Sequence, residues 1–305
     1  MISLYTVKEV NCPICGKFDY KILFKENFAK SEVDEKTFSA RRTPEKVHYQ
    51  IVKCNRCNLV YSNPIFEEEN LQKLYKKSVF TYSENLPDLR ETYGFYIKKV
   101  ESALPNKENF LDIGCGNGFM LEKAQEIGFK SVWGVEPSLD SINKARSDIK
   151  SKIKNDVFKE GLFREKFFDL VCIFQTLDHV SNPNGFLKAV YKILKRGGVV
   201  LAINHNVASF FAKILGERYP IFDIEHTFLY DKETMKKIFE KNGFKVLWVE
   251  STFNIYPLNY WLRMFPLPGG LKKLLVNFFS VTSVINKKIK IKAGNLGLAA
   301  TKVEP

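Results

Sequence analysis

The stretch Phe110–Leu–Asp–Ile–Gly–Cys–Gly–Asn–Gly118 constrains the fold more than any other part of the chain. Its apolar start reads as a buried β-strand. The three glycines that follow make a tight turn, and Phe119–Gly128 has the pattern of a helix opening out of it. Trp133–Gly–Val–Glu136 is a second strand ending in an acid, and that acid stands eighteen residues after Gly118. Strand, glycine turn, helix, strand and acid form a Rossmann-type nucleoside site. Gly114 and Gly116 let the backbone approach a ligand, Cys115 and Gly118 belong to the same turn, and Glu136 can accept hydrogen bonds from two ribose hydroxyls.

The spacing argues for one kind of nucleoside. A dinucleotide fingerprint is G-x-G-x-x-G, with a pyrophosphate resting on the helix N-terminus. Here the pattern is G-x-G-x-G, preceded by Asp112. An anion at that point repels a pyrophosphate and suits a ligand carrying an ammonium group. S-adenosylmethionine has an ammonium, a sulfonium and no phosphate, so it is the expected cofactor. Pro137 continues the loop after Glu136. Asn155 and Asp156 end a weak third strand (Lys150–Asn155), where an amide or acid could hold the adenine amino group, and Gln175 follows the fourth strand (Phe167–Phe174).

Further strands are expected at Val199–Asn204, Lys245–Glu250 and Leu296–Lys302. Helices are expected at Ser138–Ser147, Asn184–Lys195 and Leu229–Asn242. Strands alternating with helices at this interval predict an α/β fold, a doubly wound and mostly parallel seven-stranded Rossmann-like sheet. Ligands of such sheets sit beyond the carboxyl ends of the strands, where strand order reverses. Ahead of the sheet, Glu67–Ser78 and Asp88–Leu104 read as two helices placed to cap the cleft.

Cys12–Pro–Ile–Cys15 and Cys54–Asn–Arg–Cys57 are CxxC turns separated by 38 residues. Two such turns complete a tetrahedral Cys₄ zinc site, and the β-like residues around them suit the hairpins of a zinc ribbon. Four thiolates leave no open position for water, so the metal is expected to be structural. A redox CxxC is the alternative, but neither pair opens a helix in a βαβ unit. The loop Asn27–Glu45 between the two turns is long and polar.

Residues 110–204 resemble a class I S-adenosylmethionine-dependent methyltransferase. The likeness is carried in order by Asp112–Ile–Gly–Cys–Gly–Asn–Gly118, Val135–Glu–Pro–Ser138, Phe168–Asp–Leu–Val171, Leu177–Asp–His–Val180 and Leu194–Lys–Arg–Gly–Gly198. With the Cys₄ module in front, the chain is similar to zinc-ribbon methyltransferases of sugar and glycan biosynthesis. It departs from the nucleotide-sugar C-methyltransferases among them in being too short for their further large C-terminal domain. The resemblance implies methyl transfer to oxygen or carbon of a small, sugar-containing, anionic acceptor. It also implies four parts: residues 1–64 as the zinc ribbon, 65–105 as a helical cap, 106–252 with 292–305 as the core, and 253–291 as an amphipathic insertion.

An alcohol or carbon acceptor needs its proton removed. Glu225–His226 resembles the Glu–His pair that sugar C-methyltransferases place over the acceptor, with the acid orienting the ring. Alternatively His226 caps or packs the helix after it. His179, on the turn after strand four, either approaches the acceptor or shapes that turn. His48 and His205 have no such context. The segment 253–291 reads as a lid over the acceptor; its alternation of Trp, Phe and Leu with Lys also suits shallow contact with an anionic bilayer.

A formal charge of +13 calls for anionic partners. RNA methylation is the rival reading, because a zinc ribbon and positive charge also suit RNA. Against it, the front module lacks a dense Arg/Lys stripe with interleaved aromatics, which makes nucleic acid an unfavoured partner. Met1–Thr6 shows no leader pattern, and paired CxxC spacing fits a reducing cytoplasm. A cytoplasmic location is therefore expected, with peripheral membrane contact if 253–291 provides it.

Overall fold

In the computed structural model the described residues are 6–28, 38, 47–79, 86–264, 270, 274, 278–279 and 283–303. Five short strands come first: β1 (Val7–Lys8), β2 (Tyr20–Phe24), β3 (Ile51–Cys54), β4 (Val60–Ser62) and β5 (Ile65–Phe66). Helices α1 (Glu68–Lys76) and α2 (Leu86–Val100) lead into the alternating part. Its first half is β6 (Asn109–Ile113), α3 (Phe119–Ile127), β7 (Ser131–Val135), α4 (Leu139–Asn143), α5 (Ser147–Lys150) and β8 (Ile153–Lys154). Then come β9 (Phe168–Phe174), α6 (Pro183–Ile193), β10 (Leu194–His205), α7 (Phe210–Leu215), β11 (Phe228–Leu229) and α8 (Lys232–Lys241). The chain closes with β12 (Phe244–Pro257), α9 (Leu258–Met264) and β13 (Lys288–Lys302).

The main sheet has seven strands in the order β12–β13–β10–β9–β6–β7–β8. From β10 to β8 all neighbours are parallel, whereas β13 runs antiparallel to both β10 and β12. After β6 the chain winds outward through β7 and β8, then crosses back to place β9 on the other side of β6. The reversal therefore falls between β6 and β9, and a crevice is expected beyond their carboxyl ends.

Every residue of β9 is buried, as a central parallel strand covered on both faces requires. The one charge in that strand, Asp169, is satisfied by Lys195 Nζ at 2.8 Å from both oxygens and by the Asn109 N–H at 2.9 Å. One face of the sheet packs against α2 and α3 through Tyr96, Ile97, Met120 and Leu121. The other packs against α6 and α8 through Leu187, Val190, Met235 and Ile238. On that face the N-terminal module joins the same core through Leu59 and Tyr61.

The front module is tied to the core by backbone as well as by side chains. Strand β11 adds to the antiparallel β2–β3–β4 sheet, with Phe228 opposite Tyr61 and Leu229 opposite Val60. This pairing also shortens the helix expected over Leu229–Asn242. Phe228–Leu229 is strand, and α8 starts at Lys232 behind a capping box made by Asp231 and Thr234. The expected strand Lys150–Asn155 contracts to Ile153–Lys154.

The segment 253–291 is narrower than its apolar pattern suggested. Strand β12 runs on to Pro257 and β13 already begins at Lys288, so both ends belong to one long hairpin. Most of 265–282, and most of the loop Asn27–Glu45, lie outside the described residues. No helix among the described residues is long and apolar enough to cross a membrane.

Candidate active site

A cleft of about 1110 Å³ opens where the topology places it, at the ends of β6, β7, β9 and β10. Gly114 leaves β6 with a φ of +76°, and an added Cβ would come within 2.4 Å of Thr176 Oγ1. Only glycine satisfies both conditions. The Gly116 N–H donates to Glu136 Oε2 at 2.9 Å, and the Ser138 N–H donates to Glu136 Oε1 at 2.8 Å. These bonds fix the acid at the tip of β7, one strand away from Asp112.

Asp112 is 2 % exposed, and its Oδ1 has no hydrogen-bond partner. Burial pushes this carboxyl well above its usual range, and the neighbouring charge of Glu136 adds to the shift. Burial likewise raises Glu136, against the lowering effect of its two N–H donors. A buried carboxylate oxygen without a donor, beside a second acid and a glycine turn, suits a cationic ligand. The chemistry of S-adenosylmethionine, a cation without phosphate, fits this half of the cleft.

The other half is built on Asp178, which sequence reasoning passed over. It is 1 % exposed and accepts from Asn204 Nδ2 at 2.9 Å and from His205 Nδ1 at 2.8 Å. Burial raises its carboxyl, but the His205 hydrogen bond and the imidazoles gathered around it outweigh this and hold it well below the usual range. His226 stands between the other two imidazoles, with ring centroids 4.8 Å from His179 and 4.6 Å from His205. Its Nδ1 lies 2.9 Å from the Ile221 carbonyl, which can only accept, so Nδ1 carries the proton and Nε2 presents a lone pair. Burial keeps His226 neutral by pulling its pKa well below the usual value. His179 is lowered by burial too, against the opposing charge of Asp178.

These groups come from distant segments locked together by backbone bonds. The Thr227 N–H and hydroxyl both donate to the Asp178 carbonyl, at 2.7 and 3.0 Å. Leu71 and Tyr75 of α1 and Leu89 and Tyr93 of α2 line the cleft. Tyr93 stacks on Phe174 at the end of β9, with centroids 4.4 Å apart. The Tyr75 hydroxyl donates to the Glu225 carbonyl at 3.3 Å and sits 3.2 Å from His179 Nδ1.

Of the residues expected in the site, Asp112, Gly114, Gly116, Glu136, Pro137, Gln175, His179, Glu225 and His226 line this cleft. Cys115 is buried beneath the turn, and its sulfur occupies the space an added Cβ at Gly134 would need. Gly118 shapes the turn against Ile149. Asn155 and Asp156 sit just outside. The Asn155 amide donates to the carbonyls of Glu136 and Pro137, and Asp156 accepts from the Val157 N–H and pairs with Lys159. Val157 and Phe158 line the cleft there instead. The charge of Asp178 also reaches the His226 ring and opposes the lowering caused by burial and by the neighbouring imidazoles. His205, read as lacking context, belongs to the cluster. A signal was present in the Leu177–Asp–His–Val180 turn and in a histidine at the very end of β10.

Away from the cleft, Cys12, Cys15, Cys54 and Cys57 bring their sulfurs within 4.8 Å of one another. Cys12 and Cys57 are 3.3 Å apart and Cys15 and Cys54 3.5 Å. Zinc–thiolate bonds of about 2.3 Å put sulfurs about 3.8 Å apart in a tetrahedron, so the donor set and its spread fit that metal.

Comparison with known proteins bears on this geometry. The family model for a methyltransferase domain matches residues 87–249. The chain is 29 % identical over 173 residues to the mitochondrial ubiquinone biosynthesis O-methyltransferase of Dictyostelium discoideum, covering 50 % of this chain and 53 % of that protein. It is 31 % identical over 131 residues to the ubiquinone biosynthesis O-methyltransferase of Pelagibacter ubique, covering 41 % of this chain and 54 % of that one. The chain thus spans about half the length of the curated relatives it matches. Among solved structures, a SAM-dependent methyltransferase from Aquifex aeolicus superposes with a TM-score of 0.45 at 16 % identity, covering 78 % of this chain and 100 % of that chain. One from Archaeoglobus fulgidus gives 0.45 at 20 % identity, covering 70 % and 94 %.

Proposed function

The chain belongs to the methyltransferase-domain family, and from that membership we propose that it moves the methyl group of S-adenosylmethionine to an oxygen of a small acceptor held over the histidine cluster. The observation that carries this reading is Asp112 Oδ1, buried and unpartnered in a cleft that three imidazoles also line. When bound, the cofactor supplies an electrophilic methyl on a sulfonium. The chain's own residues do the rest. Asp112 and Glu136 hold opposite ends of the cationic ligand, and α1 and α2 exclude water. Holding the acceptor against the methyl supplies most of the acceleration in an in-line displacement. His226 and His179, kept neutral by burial, are the proposed catalytic groups, and the cluster with Asp178 takes up the hydroxyl proton. Glu225 flanks the acceptor space.

A sugar ring carrying anionic groups suits the aromatic faces of Tyr219, Tyr256, Tyr260 and Trp261 along the cleft, together with the net charge of +13. A second reading takes a polyprenylated phenol as acceptor. It is favoured by the relatives named for ubiquinone biosynthesis. A cleft capped by two helices favours either of these over a folded RNA. The cysteine cluster is proposed to hold one structural zinc.

Calorimetry with S-adenosylmethionine and S-adenosylhomocysteine tests the cofactor. A radiolabelled-methyl screen over nucleotide sugars, glycans and polyprenyl phenols tests the acceptor. Absence of binding of both cofactor forms sinks the assignment. Label appearing only on phenols replaces the sugar reading with the second one.

A further inference from the structure

We propose that Asp178, His179 and His226 form a divalent-cation site at the acceptor end of the cleft, a reading that rests on the methyl-transfer assignment above. Their ligand atoms all lie within 4.8 Å of one another. A cation about 2.1 Å from each ligand holds adjacent donors about 3.0–3.4 Å apart. A gap of 4.8 Å therefore closes by about 1.4–1.8 Å through side-chain rotation when the ion binds.

The surroundings of each ligand point the same way. Metal-binding imidazoles donate their other N–H to a carbonyl, carboxylate or similar acceptor, which fixes the ring and frees the second nitrogen. His226 Nδ1 donates to the Ile221 carbonyl at 2.9 Å. The Tyr75 hydroxyl spends its proton on the Glu225 carbonyl, so His179 Nδ1, 3.2 Å away, donates to that oxygen. Both Nε2 atoms then carry lone pairs, and His179 Nε2 faces Asp178 Oδ1 at 3.8 Å. Asp178 is itself braced by Asn204 and His205. Simple packing of three imidazoles around one acid does not require every Nδ1 to be tied back in this way.

Two imidazoles and one carboxylate suit a borderline divalent ion and leave coordination positions for oxygen ligands. His179 and His226 both line the cleft, so those positions open toward the acceptor. The ligand class selected is one with two adjacent oxygens, a vicinal diol or a catechol. His226 and His179 then act on the acceptor through the cation, and His205 Nε2 is the atom left to receive the proton. As the O–C bond forms and the S–C bond breaks, the positive charge lost from sulfur ends on that imidazolium beside Asp178.

The test uses the full chain with its cysteine-bound metal retained, cleared of loosely held ions with EDTA and desalted. Titration with Mn²⁺, followed by the EPR signal of the free ion, should show one ion bound per chain. His226→Gln and His179→Gln should each weaken that binding by at least about tenfold. Co²⁺ bound to the unaltered protein should give d–d bands without sulfur charge transfer, which separates this site from the cysteine cluster and needs no variant to fold. No Mn²⁺ uptake at millimolar concentration, or uptake unchanged in both variants, overturns the proposal. Calorimetry with S-adenosylhomocysteine in EDTA keeps the two readings apart. Cofactor binding without Mn²⁺ uptake sinks only the cation site, whereas loss of cofactor binding sinks the parent assignment.

Discussion

The Ser62 hydroxyl donates a hydrogen bond to the carbonyl of His226 at 3.1 Å, across 164 positions of sequence. Next to it, the Ser62 N–H donates to the Thr227 carbonyl at 2.8 Å. Ser62 ends β4, the strand that follows the second CxxC turn, and His226 precedes β11, which pairs with β4. The cysteine cluster and the His226 imidazole are thus two ends of one short antiparallel sheet.

A first prediction follows from that link. Stripping metal from the cysteine cluster, or replacing Cys54 by Ser, should lower methyl transfer even though no cysteine of the cluster lines the cleft. Ser62→Ala removes one neutral hydrogen bond and should cost only about 0.5–1.5 kcal/mol of stability. Its kcat should fall severalfold while cofactor affinity holds. If Cys54→Ser kept full kcat with the metal demonstrably gone, the coupling would be refuted.

Asp112 sets a second, pH-dependent expectation. Its carboxyl is raised in the folded chain, so above about pH 4 the native state holds a proton that the unfolded state releases. Stability of the ligand-free protein should therefore decline as pH rises from about 4 through the raised folded value. Over the same range the newly ionised carboxylate should strengthen cofactor binding. Asp112→Asn should flatten the stability decline and weaken S-adenosylmethionine by about tenfold or more at neutral pH. Thermal shifts and calorimetry at several pH values read both effects; equal affinity in the variant and the unaltered protein would count against the cation-holding role.

Gly114→Ala should act through sterics. The added methyl meets Thr176 Oγ1 at 2.4 Å, and the backbone φ of +76° is itself unfavourable for alanine. Left-handed strain and overpacking together should cost roughly 2–4 kcal/mol. Adding Thr176→Ala should return the overpacking part but not the strain. A double variant no more stable than Gly114→Ala alone would mean that the collision is relieved in another way.

The Asp112–Glu136 half of the cleft was legible because it is local. Strand, glycines and acid fall within Phe110–Glu136, and each residue type is dictated by backbone geometry or charge at its own position. The acceptor half is not local. Asp178 reads as part of a turn and His205 as the end of a strand, and only the fold brings them together across 27 positions. The same holds for Tyr75, whose partners His179 and Glu225 lie more than a hundred positions away. Asn155 could be placed near the cofactor, but its amide is taken by the carbonyls of Glu136 and Pro137, a competition that no spacing reveals. The extension of β12 and β13 into 253–291 escaped notice because strand pairing overrode an amphipathic pattern.

Tyr75 carries the last prediction. Its hydroxyl is the polar link from the capping helix α1 to both His179 and the Glu225–His226 segment. Its pKa is raised well above the ordinary value by burial first and by nearby acids second, so it stays protonated throughout the working pH range. Tyr75→Phe keeps the ring and its edge contact with His179, centroids 6.1 Å apart, and deletes only the oxygen. His179 then loses the acceptor that fixes its tautomer, and its Nε2 no longer presents a lone pair reliably. The variant should fold, bind cofactor normally and lose about three- to tenfold in kcat, with the larger loss in Mn²⁺ affinity. A drop confined to cofactor affinity would place Tyr75 in the wrong half of the cleft.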